Sequence, residues 1–155
     1  MAQPMTEMAS LVSNRQRSSH QTQWAAQFAA ASELCRRSYQ VALTLGNQPS
    51  VDIMVMSPNG YQFKIDVKGL YRPNYFIIRR RELIEGLCYI LVLVPDPPAN
   101  PEFFILTHEQ VIAAQIDDLA IGRLRNPDIN DTYPVQGIRW KAAQNFKDKW
   151  CSLPP

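Results

Sequence analysis

Asp52 and the triplet Asp66-Val67-Lys68 are the side chains best placed by spacing to do chemistry together. They fall on two runs of alternating residues, 51–57 and 61–68, separated by Pro58-Asn59-Gly60. An Asn-Gly pair between alternating runs is a hairpin signal. With residues 58–60 as the loop, Ser57 faces Tyr61 and Asp52 faces Asp66. The two carboxylates then stand opposed on one face, with Cβ atoms roughly 4.5–5.5 Å apart. Opposed like charges destabilise a sheet unless a cation sits between them or one is protonated. Lys68 lies two residues beyond Asp66 and so shares its face. Two carboxylates and an ammonium around one point suit a hard divalent ion and a water. The bland alternative is a pair of solvent-facing charges on an amphipathic strand.

The surrounding elements follow from periodicity. Residues 22–38 predict a helix whose apolar stripe is Trp24, Phe28, Ala31 and Cys35, with Gln27 beside it and Glu33 turned to solvent near Arg36 or Arg37. Residues 39–45 alternate as a first strand, and 46–50 are a turn. On the third strand Tyr61, Phe63, Ile65 and Val67 make the buried face, and Gln62, Lys64, Asp66 and Lys68 the polar one. Tyr75–Ile78 reads as a short extended piece, and Arg79–Glu85 as a short helix ending at Gly86. Leu87–Val94 is a continuous apolar strand, central in the sheet. The proline-rich stretch 95–101 is a surface loop. Glu102–Leu106 is a strand, and Thr107 caps a helix running to about Asp117 with Gln110 at its third position. Residues 122–139 are turn-rich, and Lys141–Trp150 reads as a last helix. The order α-β-β-β-α-β-β-α predicts an α/β fold, a central mixed sheet flanked by helices.

Composition narrows the classes. The chain has 155 residues, 46% hydrophobic and 19% charged, which suits one soluble domain over 21–155 after a disordered tail over 1–20. No apolar run is long enough to span a bilayer, and no secretory signal opens the chain, so a cytoplasmic location is expected. Three cysteines without paired spacing argue against a disulfide framework or a zinc site, and His20 and His108 read as exposed. The net charge of +2 is uneven. Residues 1–81 hold ten Lys/Arg and four Asp/Glu, whereas 82–155 hold six and ten. Arg72, Arg79, Arg80 and Arg81 follow the hairpin. They either contact phosphate or solvate the start of a helix.

These residues and this order resemble the PD-(D/E)-x-K nuclease superfamily, whose fold is called restriction-endonuclease-like. Within it the likeness is to the Holliday-junction-resolvase branch and to small prokaryotic relatives. It covers roughly residues 22–106, resting on Ala26-Gln27-Phe28, the strand from Tyr39, Asp52, and Asp66-Val67-Lys68. Gly137-Ile138-Arg139-Trp140 and Trp150 also look like the tails of such proteins. The resemblance implies a Mg²⁺- or Mn²⁺-dependent nuclease acting on DNA, in a family where homodimers are common. It implies that Asp52, Asp66 and the Val67 carbonyl bind the ion, and that Lys68 orients the attacking water. Arg72 and Arg79–Arg81 would meet phosphates. Two departures stand out. Val51 replaces the proline that often precedes the first aspartate. Gln27 stands where the branch has a first-helix glutamate and is read as a fourth catalytic-site residue, able to hold a cation or a metal-bound water through its carbonyl oxygen but supplying no charge and no base. That substitution is the mark of the alternative, a catalytically impaired nucleic-acid- or protein-binding member of the same fold.

Overall fold

The structure is a computed structural model describing residues 16–46, 49, 51–129 and 136–155. The expected tail over 1–15 lies outside the described residues, as do parts of the expected turns near 47–50 and 130–135. Residues 17–20 do not belong to a tail. Arg17 donates to the carbonyls of Val94 and Pro95 and pairs with Asp96, and Ser18 caps the first helix.

The elements are α1 (Ser19–Arg36), β1 (Gln40–Leu43), β2 (Ile53–Met56), β3 (Gln62–Leu70), β4 (Tyr75–Ile77), β5 (Leu87–Leu93), β6 (Glu102–Thr107), α2 (His108–Arg125), β7 (Gly137–Arg139) and α3 (Trp140–Ala143). Five strands form one mixed sheet in the order β1-β2-β3-β5-β6, and β4 pairs with β7 in a separate ribbon. Only β3 and β5 run parallel; the other pairings are antiparallel. An α/β fold with a central mixed sheet is therefore what the chain adopts. Among the described residues no helix is long and apolar enough to cross a membrane.

All seven residues of β5 are buried because both sheet faces are covered. One face packs Ile65, Val67, Ile90 and Val92 against Ala26, Ala30 and Leu34 of α1. The other packs Tyr89 and Leu91 against Phe76, Val111 and Ile138 of the ribbon and α2. The chain's end is tied to the α1 face: Trp150 meets Phe103 and carries Arg37 over its ring, and Tyr39 donates to the Pro154 carbonyl.

Three expected elements differ, each for a tertiary reason. The buried stripe of α1 is Thr22, Ala26, Ala30, Ala31 and Leu34, whereas Phe28 and Cys35 are exposed and Trp24 is half-buried. Small residues face the sheet because α1 lies close upon it. A Cβ on Gly69 would come within 2.8 Å of the Ala26 Cβ. No helix forms at Arg79–Glu85, so the order α-β-β-β-α-β-β-α fails at its second helix. Ile78 N–H is spent on the Gln136 carbonyl and Ile84 N–H on His108, which holds the segment extended. The last helix is broken into α3 and two single 3₁₀ turns. Between them Lys147 bridges to Phe104, Asp148 donates to the Phe103 carbonyl, and Asp148 takes a φ of 54°. By contrast α2 outruns its expected end at Asp117 and reaches Arg125, opened by the expected Thr107–Gln110 capping box.

Candidate active site

The hairpin sets the site. Val55 pairs with Phe63 and Ile53 with Ile65, which is the register a three-residue loop dictates. Gly60 supplies the left-handed corner at φ 85°. The regular ladder stops one residue short of the carboxylates. Asp52 N–H donates to the Ile65 carbonyl, so two residues of the β2 segment face one of β3, as in a bulge. Asp52 and Asp66 thus do not form the regular opposed pair that the register alone predicts. Like-charge repulsion disfavours that pair, and the bulge relieves it.

Where β2 leaves, side chains satisfy the bare edge of β3. Asp52 Oδ2 accepts the Val67 N–H at 2.7 Å, and Asp52 Oδ1 accepts from Gln27 Nε2 at 2.7 Å. Gln23 Nε2 donates to the Val67 carbonyl at 2.8 Å, and Gln23 Oε1 accepts the Gly69 N–H at 3.1 Å. Gln23 and Gln27 are one helical turn apart on α1, so both reach the same edge. Sequence reasoning found Gln27 and missed Gln23; a glutamine four residues earlier on the same face was its only signal.

Asp66 pairs in register with Tyr89 and faces the α2 side of the sheet. It is fully buried, which removes the bland alternative of a solvent-facing charge. Lys68 Nζ lies 2.6 Å from its Oδ1 and Arg81 Nη2 3.0 Å from its Oδ2. The Lys68 contact falls outside hydrogen-bond geometry, so Asp66 Oδ1 is buried without a hydrogen bond. Among the described residues Tyr89 Oη and Arg81 Nε are buried without one as well. A buried polar group of this kind calls for a physical account, of which a functional role is one. Burial pushes the Asp52 carboxyl above its usual range; the Val67 N–H opposes this, Asp66 adds to it, and Lys68 opposes it. The charges of Asp66 and Lys68 thus both act on Asp52, which is itself tied to Gln27 of α1. Burial, then the Asp66 charge, pushes the Tyr89 hydroxyl up to about 12, so it keeps its proton.

The arginines separate. Arg81 turns inward to Asp66 rather than outward to solvent. Arg72 sits over the Tyr71 ring, Arg79 is exposed, and Arg80 lines a cavity beside α2. His108 is buried, not exposed. Its Nδ1 accepts the Ile84 N–H at 2.9 Å, and its ring lies 5.6 Å from Tyr89.

Burial, followed by the Arg81 charge, lowers the His108 pKa below 6.5. A lowered folded-state value means a stabilising contribution that is whole above pH 6.5 and is lost as pH falls through the folded value. Melting temperature should drop on acidification from pH 7 to 5. His108→Asn, which keeps an acceptor near Nδ1 but cannot titrate, should flatten that slope. An unchanged slope would remove His108 as its source.

Comparisons with protein-family models, with curated proteins and with solved structures find no match. The functional reading rests on the residues themselves.

Proposed function

We propose that this protein is a metal-dependent phosphodiesterase that cleaves nucleic acid, with DNA as substrate and Mg²⁺ or Mn²⁺ as cofactor. The supporting observation is that Asp52, aimed by Gln27 and the Val67 N–H, stands at the sheet edge within the field of Asp66 and Lys68. The helix, meander and parallel β3–β5 crossover around it favour a restriction-endonuclease-like reading of the fold, in keeping with the resemblance noted from sequence.

The donor set fits a hard divalent ion. Among the described residues no group of three or more His, Cys, Asp or Glu gathers. Mg²⁺, however, is commonly held by one or two carboxylates. Asp52 and Asp66 supply them, and Asp66 Oδ1 is met by the Lys68 ammonium at 2.6 Å without a hydrogen bond of ordinary geometry. The Val67 carbonyl accepts from Gln23 and keeps a second lone pair. A bound Mg²⁺ would polarise the scissile phosphate and acidify a water. The chain's own groups do the rest. Gln27 and Val67 N–H fix the Asp52 carboxylate. Lys68 presents a half-buried ammonium that orients the attacking water and offsets charge on the phosphorus centre. Arg81 offsets the charge of Asp66.

The test is nicking of supercoiled plasmid in Mg²⁺ or Mn²⁺. Lys68→Ala should slow it about 100-fold or more while leaving Mn²⁺ binding measurable. Equal rates for variant and wild type would overturn the assignment. A second reading has its own support: Arg81 already neutralises Asp66, and Gln27 carries no charge. It is a catalytically impaired member that binds nucleic acid or protein. Under it, wild type is silent in the nicking assay and Mn²⁺ calorimetry gives no heat.

A further inference from the structure

A cavity of about 730 Å³ opens between α2 and the β4–β7 ribbon, away from the Asp52 edge. Its lining includes Arg80, Arg125, Gln115, Leu119 and Ile129. Gln115 is only 7% exposed, and its Nε2 is committed to the Ile78 carbonyl at 2.8 Å. Its Oε1 has no hydrogen bond among the described residues, and the side chain lines the cavity. Asp118, also on the wall, is engaged by Arg139 and by the Tyr75 hydroxyl. Arg80 and Arg125 form no ion pair among the described residues. Two free guanidinium groups over apolar walls make a site for a phosphate attached to a flat ring.

Gly122 adds an independent observation. It lies inside α2, where glycine is the poorest ordinary helix former, and its φ is not positive. A Cβ there would meet only the Ile129 Cδ1, at 3.4 Å, an ordinary contact. Neither backbone geometry nor packing demands glycine. A longer side chain at this position would find its room toward the cavity that Gly122 lines.

We propose that this cavity binds a nucleoside monophosphate, with its phosphate on Arg80 and Arg125, its base between Leu119 and Ile129, and an exocyclic amine donating to Gln115 Oε1. The unit is either a free nucleotide or one nucleotide turned out of a strand. Arg80 faces the cavity while its neighbour Arg81 holds Asp66, so an occupant would sit one residue along the chain from the candidate active site.

The experiment is calorimetry on the full chain in EDTA, which keeps it separate from the phosphodiesterase reading. The probes are AMP, UMP, adenosine, inorganic phosphate and a 5′-phosphorylated deoxyadenosine octamer. AMP should bind at least tenfold more tightly than UMP, adenosine or phosphate. Arg80→Ala and Gly122→Leu should each weaken it at least tenfold, and Asp52→Asn should leave it unchanged. If the octamer binds where AMP does not, and Gly122→Leu abolishes that binding, the occupant is a nucleotide of a strand. AMP no tighter than phosphate, or Gly122→Leu binding AMP or the octamer as wild type does, would overturn the proposal.

Discussion

Asp52→Asn should abolish divalent-ion binding and cleavage and, at the same time, raise the melting temperature at pH 7. Both effects follow from one carboxylate. Burial raises the Asp52 pKa, with Asp66 adding to it, against the opposing pull of the Val67 N–H and Lys68. A raised folded-state value means that Asp52 favours folding fully below its unfolded value, near 3.8, and that this contribution is lost as pH rises through the folded value. Relative to the unfolded chain, the native state therefore holds this carboxyl more easily protonated than ionised. The amide removes that penalty without emptying the hydrogen bonds. Its oxygen accepts the Val67 N–H, and its NH₂ donates to Gln27 once that amide turns over. Thermal melts from pH 3 to 8 without divalent ions should show the variant ahead at pH 7 and level with wild type near pH 3. Adding Mn²⁺ should stabilise wild type alone, since only it binds the ion. A variant that melts lower at pH 7, or that still gives the Mn²⁺ heat, would show Asp52 to be a structural carboxylate.

The hairpin that carries the candidate site is written in local sequence, and so its register was legible there. The register is fixed by three adjacent loop residues, the last of them a left-handed glycine. The capping box of α2 is equally local, Thr107 and Gln110 closing on each other. The misreadings are where local preference meets a distant demand. Arg79-Arg80-Arg81-Glu82-Leu83 has helical composition, yet Arg81 must reach a buried carboxylate fifteen residues upstream and Ile84 must meet His108. The stripe Trp24–Phe28 is the larger apolar face of α1, yet β3 selects the alanines because Gly69 brings the strand backbone against the helix. Trp24 and Phe28 instead stack on each other at 5.5 Å, outside the core.

The polar residues that the sequence hid share a cause. Gln23 and His108 bind backbone groups, and no motif records which N–H or carbonyl a strand will leave bare. Gln23 takes up the edge that β2 abandons, and His108 replaces a missing helical bond at Ile84. Arg81 was visible as a charge, but its direction depends on an extended crossover that sequence pattern presents as a helix.

Asp66→Ala should cost the fold about 3 kcal/mol, because it strands two cations at once. Asp66 is fully buried, and both of its oxygens face positive groups, Lys68 and Arg81. Removing one partner of a buried pair leaves charge without compensation, and the usual cost runs higher still. The figure here sits at the low end because the Lys68 and Arg81 side chains remain 31% and 21% exposed and recover some hydration. For a chain of this size the loss lowers the melting temperature by roughly 10 °C. Lys68 can swing outward; Arg81 is less able to, with Nε buried and its guanidinium 5.9 Å from the Tyr89 ring. The double variant Asp66→Leu with Arg81→Met should therefore regain most of the stability, since apolar groups of similar volume replace a buried pair at little cost. It should remain inactive on plasmid and blind to Mn²⁺. Rescue of the fold without rescue of the chemistry separates the two roles of Asp66. An Asp66→Ala protein that melts with wild type would mean that the cations are not held by this carboxylate at all.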